Sequence, residues 1–304
     1  MNAPLLSICI PTFNNSKVLS QNINQLLSHL KGFADNIEII VSENFSSSFE
    51  SQKILQLQSK TVKVFNNSQN LGFGKNLLMS LSLARGTYLM LLGDDDFVDE
   101  NLINDVIEYL SITDSKKLIC LPLSTDNPTN PPVTISTSYV FMRSGQMMGL
   151  VFHRDSIKLS ELSMDFALYP QIELSLCTFF DYGAEYLVSR GVIHVGEGLP
   201  LEERFTDKMS RPLDYGIIER FNILKRLRVR YSIGVRDYFR CYLSLVYWGN
   251  NIFFKLISAK PCLAKKFAWE NFARNPDKLL LIVSQCYLLM KALSGNLKSH
   301  KLSL

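Results

Sequence analysis

Three consecutive carboxylates, Asp94, Asp95 and Asp96, follow the apolar run 88–92 and Gly93. Adjacent like charges repel, and burying them without a cation is costly. Carboxylate oxygens suit hard divalent ions, which commonly bridge a protein to phosphates. The triplet therefore reads as a Mg²⁺ or Mn²⁺ site for a diphosphate. The plainer alternative is a solvated acidic helix start, because Asp stabilises a first helical turn. Glu43 follows another apolar run, where a carboxylate can read a base edge or a ribose hydroxyl. Asn70, Gly72, Gly74 and Asn76 form a loop opening a helix. That arrangement allows close backbone approach and presents a positive helix end. It lacks P-loop spacing, and no GxGxxG follows the first apolar run, which argues against a dinucleotide site.

The elements that must position these residues follow from periodicity. Short apolar runs at 6–10, 37–41, 62–65, 88–92 and 118–123 predict buried strands, the first ended by Pro11. Helical spacing recurs from Val18 to Leu30, around 49–58, over 74–84, and after Asp99-Glu100. Such alternation implies an α/β fold with a doubly wound, mostly parallel sheet. Ligands of these sheets sit beyond the carboxyl ends of the strands. Polar clusters at 12–15, 43–44, 66–70 and 94–96 fall at four such ends. Together they describe a cleft for a polar ligand.

Further along, residues 124–138 read as a surface loop and 139–153 as strands broken by Gly145 and Gly149. A helix is expected over 171–180 and an extended segment over 186–195. Helices are expected at 215–230 and 235–247, with Gly249-Asn250-Asn251 breaking the pattern, and near 263–272 and 277–293. Of the 304 residues, 1–202 carry 13 Lys+Arg against 21 Asp+Glu, and 203–304 carry 19 against 7. This asymmetry predicts two parts, 1–202 and a basic helical region 203–304, that meet different partners. The six cysteines form no CxxC pair and read as buried thiols in a reducing compartment. No apolar run reaches the ~18 residues of a membrane span, and the first residues do not resemble a secretory signal. A cytoplasmic protein is expected.

Several of these segments resemble one family. Residues 7–14, Ser-Ile-Cys-Ile-Pro-Thr-Phe-Asn, look like the S-x-x-I-P-x-[YF]-N opening of the family 2 glycosyltransferases. Residues 40–44 resemble their V-S-D-N segment, with Glu43 in place of Asp. Asn70, Gly72 and Asn76, then Arg85-Gly86-Thr87-Tyr88, resemble their N-x-G…N…A-x-G-x-Y run, and 93–96 their acidic DxD signature. The match covers about 5–110. It is similar to bacterial enzymes that build lipopolysaccharide or capsule, including abequosyltransferase-like ones.

The resemblance implies a GT-A fold, with a donor half at about 1–110 and an acceptor half at about 111–202. It implies a nucleoside-diphosphate-sugar donor, most simply a UDP-sugar, and a divalent metal. Pro11, Thr12, Asn14, Glu43, Asn70, Gly72, Asn76 and Asp94 would line the nucleotide, and Asp95 and Asp96 would hold the metal. Inverting members place a general base 70–100 residues beyond the acidic motif, often in a Glu-Asp pair, to deprotonate the acceptor. No such pair occurs here. Asp165, on an expected loop, is the preferred candidate; Glu173 reads as a helix-surface residue and Asp181 as a helix-end residue. The implied acceptor is a lipid-linked or growing surface glycan. Arg220, Lys225, Arg226, Arg228 and Arg230 interleave with apolar residues, which suits an anionic membrane surface and the inner face of the cytoplasmic membrane. The alternative is a helix packed on the catalytic part with its basic face in water. No module for nucleic acid accompanies the charge. Two rival functions remain: a nucleotidyltransferase, whose usual Gly-rich basic loop is absent, and a non-catalytic binding subunit, supported by the missing Glu-Asp pair.

Overall fold

The computed structural model describes residues 3–33, 35–126, 132, 134–162, 169–196 and 217–259, with isolated positions 268, 272, 278, 281, 282, 284 and 285. The chain divides into two compact units. One comprises 1–135 with 146–198, the other 136–145 with 199–304. The short segment 136–145 thus groups with the C-terminal region.

In the first unit, β1 (Leu6–Thr12), α1 (Ser16–His29), β2 (Ile37–Glu43), α2 (Ser48–Leu55), β3 (Val62–Asn66), α3 (Phe73–Leu83) and β4 (Tyr88–Leu91) alternate as expected. They are followed by β5 (Phe97–Val98), α4 (Glu100–Ile112) and β6 (Leu118–Cys120). In the second unit lies α5 (Thr137–Arg143); β7 (Leu150–His153), α6 (Pro170–Tyr182), β8 (Ala184–Tyr186) and β9 (Ile193–His194) return to the first. The main sheet runs β3-β2-β1-β4-β7-β6-β8. β3, β2, β1 and β4 are mutually parallel, β7 is antiparallel to β4 and β6, and β6 is parallel to β8. β5 and β9 form a separate antiparallel pair. Ile8, Ile10, Ile39, Val41, Met90 and Leu92 are buried at the centre, joined by Leu19, Ile23 and Leu26 of α1 and Leu102, Ile103 and Val106 of α4.

β1 does not stop at Pro11, as the sequence suggested. Cys9 O accepts from Leu92 N on the β4 side, while Thr12 O accepts from Asn44 N on the β2 side. Polar groups alternate along a strand, so position 11 points toward β4, whose pairing with β1 ended opposite Cys9. The missing proline N–H therefore breaks no ladder bond, and the strand continues.

A buried polar cluster joins the amino ends of the three central strands. Ser7 Oγ donates to Glu38 Oε1 at 2.7 Å and accepts from Gly86 N at 2.7 Å. Arg85 N donates to the same Glu38 oxygen at 2.6 Å, and the Arg85 guanidinium lies 3.6 Å from the other. The Arg85-Gly86 motif thus serves the fold, at the end of the sheet opposite the cleft. A Cβ at Gly86 would lie 2.6 Å from Ser7 N and Oγ, so only glycine fits.

Two expectations are corrected. Residues 137–143 form a helix, not a strand. Ser136 caps it by accepting from Tyr139 N at 3.2 Å, and Val140 and Phe141 are buried. Within its unit α5 packs on α8 (Val235–Ala259), and that packing overrides the strand preference of Tyr, Val and Phe. Nor does Gly249 end a helix: α8 runs through 249–251. A Cβ there would lie 3.1 Å from Ile217 Cδ1 of α7 (Ile217–Arg230), so the glycine permits close helix approach. The segments expected at 263–272 and 277–293 lie almost wholly outside the described residues.

Gly86→Ala is expected to lower unfolding stability by about 1–3 kcal/mol, the usual scale of overpacking, read from urea denaturation. Ser7→Ala, which leaves Glu38 and Gly86 N short of a partner, should destabilise in the same direction.

Candidate functional site

The loops after β1, β2, β3 and β4 form the carboxyl-end rim of the sheet. Thr12, at the end of β1, is buried, and its Oγ1 donates to Asp94 Oδ2 at 2.6 Å. Asn14 next takes a left-handed conformation, φ 53°. Its side-chain oxygen accepts from Ser47 N and its own N–H donates to Ser46 Oγ, both at 2.9 Å. The β1 loop is thereby latched to the β2 loop. Glu43 is buried at the end of β2, with Oε1 accepting from Ser46 N at 2.5 Å and Oε2 from the Ser51 hydroxyl at 3.3 Å.

Asparagines extend this framework. Asn76, buried on α3, accepts from Ser42 Oγ at 2.7 Å and Asn67 Nδ2 at 2.8 Å. It donates to Ser42 O at 3.0 Å and Thr12 O at 3.4 Å, so its amide is fully used. Asn44 Oδ1 accepts from Leu71 N at 2.8 Å, and its Nδ2 donates to Asn70 Oδ1 at 3.1 Å. Asn70 also accepts from Gly72 N, where φ is +76°. Glu43, Asn76 and Asn70 hold the loops in shape, while Thr12 bonds the acidic segment directly. Pro11 is buried between them, paired with Ser42.

The acidic loop is built around Asp96. Its Oδ2 accepts from Gly93 N at 2.8 Å and its Oδ1 from Gly196 N at 2.9 Å. The carboxylate is wholly buried. Asn22 of α1 holds Gly93 O at 3.1 Å from beneath. Gly196 arrives through the β5–β9 pair, and a Cβ there would sit 2.4 Å from Asp95 Oδ2. The same segment is fastened by Asp99, whose Oδ2 accepts from Val192 N at 3.0 Å and whose Oδ1 lies 2.8 Å from His194 Nε2. Sequence reading placed Asp99 at a helix start, put Asn44 and Asn67 in the strand-end clusters without assigning them a role, and overlooked Gly196 and His194. Only Asn44 and Asn67 left a local signal, as members of the polar clusters; a partner a hundred residues away leaves none.

Burial pushes the Asp94 carboxyl up to about 6, opposed by the Thr12 hydroxyl and reinforced by the charge of Asp95. Burial likewise pushes Asp96 up to about 6, opposed by the Gly196 and Gly93 N–H groups and reinforced by Asp95 and Asp94. A cation would relieve this excess of negative charge. Asp94 and Asp95 are the partly exposed members of the triplet, while both Asp96 oxygens already accept backbone N–H groups. Among the described residues no group of three or more His, Cys, Asp or Glu side chains gathers as a cage. A hard ion takes about six oxygens. The residues therefore fit a cation shared with a ligand's phosphates, for which Asp95 and Asp94 would supply the protein oxygens. Of the candidate bases, Asp165 lies outside the described residues. Glu173 is not on the helix surface but buried in α6, 5% exposed, and Asp181 sits at the end of α6, 3.4 Å from Lys158 Nζ.

Both raised carboxyls bind protons more readily folded than unfolded. Their stabilising contribution is full below the unfolded value of about 3.9 and is lost as pH rises through about 6. In chelator, the stability difference between the protein and Asp94→Asn should shift in favour of the variant across that window. A pH-independent difference would contradict the burial of Asp94.

Residues 7–156 match the family described as Glycosyl transferase family 2. The abequosyltransferase RfbV of Salmonella typhimurium is 31% identical over 133 residues, 41% of this chain and 40% of that protein. An uncharacterized glycosyltransferase of Haemophilus influenzae is 30% identical over 173 residues, 52% of this chain and 66% of that protein. These relatives are thus matched over less than two thirds of their length. Among solved structures, S. aureus TarS 1–349 in complex with UDP-GlcNAc has a TM-score of 0.59 at 13% identity, covering 94% of this chain and 92% of that one. Mannosyltransferase PcManGT from Pyrobaculum calidifontis, in complex with GDP-Man and Mn²⁺, has a TM-score of 0.57 at 10% identity, covering 99% and 89%. The sheet order, the acidic loop at its carboxyl end and these matches agree: the fold is of the GT-A glycosyltransferase type, and residues 7–156 form a glycosyl transferase family 2 domain.

Proposed function

We propose that this protein transfers a sugar from a nucleoside-diphosphate-sugar, most simply a UDP-sugar, to a lipid-linked or growing glycan of a bacterial surface such as lipopolysaccharide or capsule. The observation that carries this reading is the Thr12–Asp94 hydrogen bond of 2.6 Å, which couples the end of β1 to the partly exposed carboxylates. TarS in complex with UDP-GlcNAc and PcManGT with GDP-Man and Mn²⁺ share the fold and support the donor class.

In this mechanism the loops latched by Asn14, Glu43, Asn70, Gly72 and Asn76 shape the nucleotide's bed. Thr12 and Asp94 meet the ribose side, and Asp95, with the Asp94 carboxylate beside it, would hold a divalent cation. When bound, that cation offsets the charge developing on the departing diphosphate, worth several kcal/mol. Gly93 and Gly196 N–H groups keep Asp96 fixed, so the loop does not reorganise as charge moves. Asp165 takes the acceptor hydroxyl proton as that oxygen attacks the anomeric carbon. The proposed division of labour is a catalytic part at 1–202 and a basic C-terminal part at 203–304, with 136–145 grouping structurally with the latter. No helix among the described residues is long and apolar enough to cross a membrane. The basic charge of the C-terminal part supports peripheral placement on the inner face of the cytoplasmic membrane.

The test is nucleoside diphosphate release from a panel of nucleotide-sugars with Mn²⁺ and a lipid-linked acceptor. Asp95→Asn should lower turnover by about 100-fold or more, the scale of a lost electrostatic stabiliser, with unchanged melting temperature. Asp165→Asn should abolish turnover and leave nucleotide binding intact. Unimpaired turnover in Asp95→Asn would overturn the assignment.

A further inference from the structure

Within the second unit, α7 and α8 form an antiparallel hairpin. Phe221 stacks on Tyr242 with ring centroids 4.4 Å apart, and the Arg228 guanidinium lies 4.3 Å over Tyr238. Ile223, Leu224 and Leu227 bury one face of α7, and Ile233, Tyr238 and Cys241 continue that buried side through the turn into α8. The turn at Ser232, φ 51°, and Gly234 closes the hairpin.

The closed end of this hairpin is unusual in two respects. Val229 is 83% exposed and Val235 is 72% exposed, one on each side of the turn. Near them in the chain Lys225, Arg226, Arg230, Arg236 and Arg240 are exposed, and the one exposed carboxylate of this stretch, Asp237, pairs with Arg240 at 3.7 Å. On α7, Lys225 and Arg226 lie four and three residues before Val229, so all three share one helix face. Packing explains the buried stripe but gives no reason for two bare valines in so cationic a stretch of chain. A surface that is apolar at its centre and cationic at its rim matches an anionic bilayer. Valines can enter the headgroup boundary while Lys and Arg stems lie along it and their charges reach lipid phosphates.

We propose that the closed end of the α7–α8 hairpin is the membrane-docking surface of this protein, seated on anionic phospholipid through Val229, Val235 and the surrounding Lys225, Arg226, Arg230 and Arg236. This deepens the membrane-facing part of the proposed function by naming the surface and its partner. Docking confines the protein to the plane in which a lipid-linked acceptor lies, so encounter becomes a two-dimensional search.

The test is flotation of the full chain with vesicles of phosphatidylcholine alone or mixed with phosphatidylglycerol, without donor or acceptor. The protein should float with the anionic vesicles only, and less as salt rises. A Lys225→Gln/Arg226→Gln/Arg236→Gln variant should bind about 100-fold more weakly. Val229→Asp should also weaken binding without lowering the melting temperature, because the side chain is exposed. Equal binding to neutral vesicles, wild-type binding by the triple variant, or release from vesicles by an equal phosphate concentration of RNA would overturn the proposal. Because no nucleotide enters the assay, failure of the donor site and failure of this surface are read separately.

Discussion

Everything at the carboxyl end of this sheet answers to one constraint: three adjacent carboxylates must be held together where water is scarce. Proteins ordinarily separate such charges or expose them. Here Asp96 is buried completely and made tolerable by two backbone N–H groups, one local and one from Gly196. That arrangement explains the glycines at 93 and 196, the β5–β9 pair that delivers the second donor, and the Asp99 bonds that hold that pair down. It also divides the triplet by role. One carboxylate organises the loop, and two remain partly exposed, where the proposed cation site would need them.

A second layer of polar contacts makes the rim rigid before any ligand arrives. Asn76 joins β1, β2 and the loop after β3 through four hydrogen bonds, and Asn14 ties the β1 loop to the β2 loop. Fixed donors of this kind stabilise developing charge without reorganising. The arrangement has a local cost: Asn14 and Phe45 both adopt left-handed conformations, uncomfortable above all for phenylalanine. Such strain persists where surrounding bonds over-determine the backbone. Ser46, which follows Phe45, is bonded by both Asn14 and Glu43.

Much of this was legible in the sequence because the signals are local. The first four strands and their helices announce themselves as short apolar runs separated by 3.6-residue periodicity, and the polar clusters mark the strand ends. The acidic triplet is conspicuous for the same reason. What a polar residue does at such an end is less legible. Glu43, Asn70 and Asn76 have the chemistry to bind a nucleotide and the geometry to bind their own loops, and composition does not separate the two. Long-range partners are harder still: Gly196 and His194 acquire their meaning only when β9 meets β5. Helix α5 was misread because Tyr, Val and Phe favour strands locally, and packing on α8 decides otherwise. Pro11 and Gly249 were read as breakers, yet each sits where its defect does no harm.

The central claim is that the partly exposed carboxylates bind a nucleoside diphosphate through a shared divalent cation. The most direct measurement is calorimetric titration of UDP, CDP, GDP and ADP into the protein, each with and without Mn²⁺. The account predicts that one nucleotide binds measurably only when the metal is present, and that this dependence disappears in Asp95→Asn. Nucleotide affinity that is indifferent to metal, or absent for all four, would contradict it.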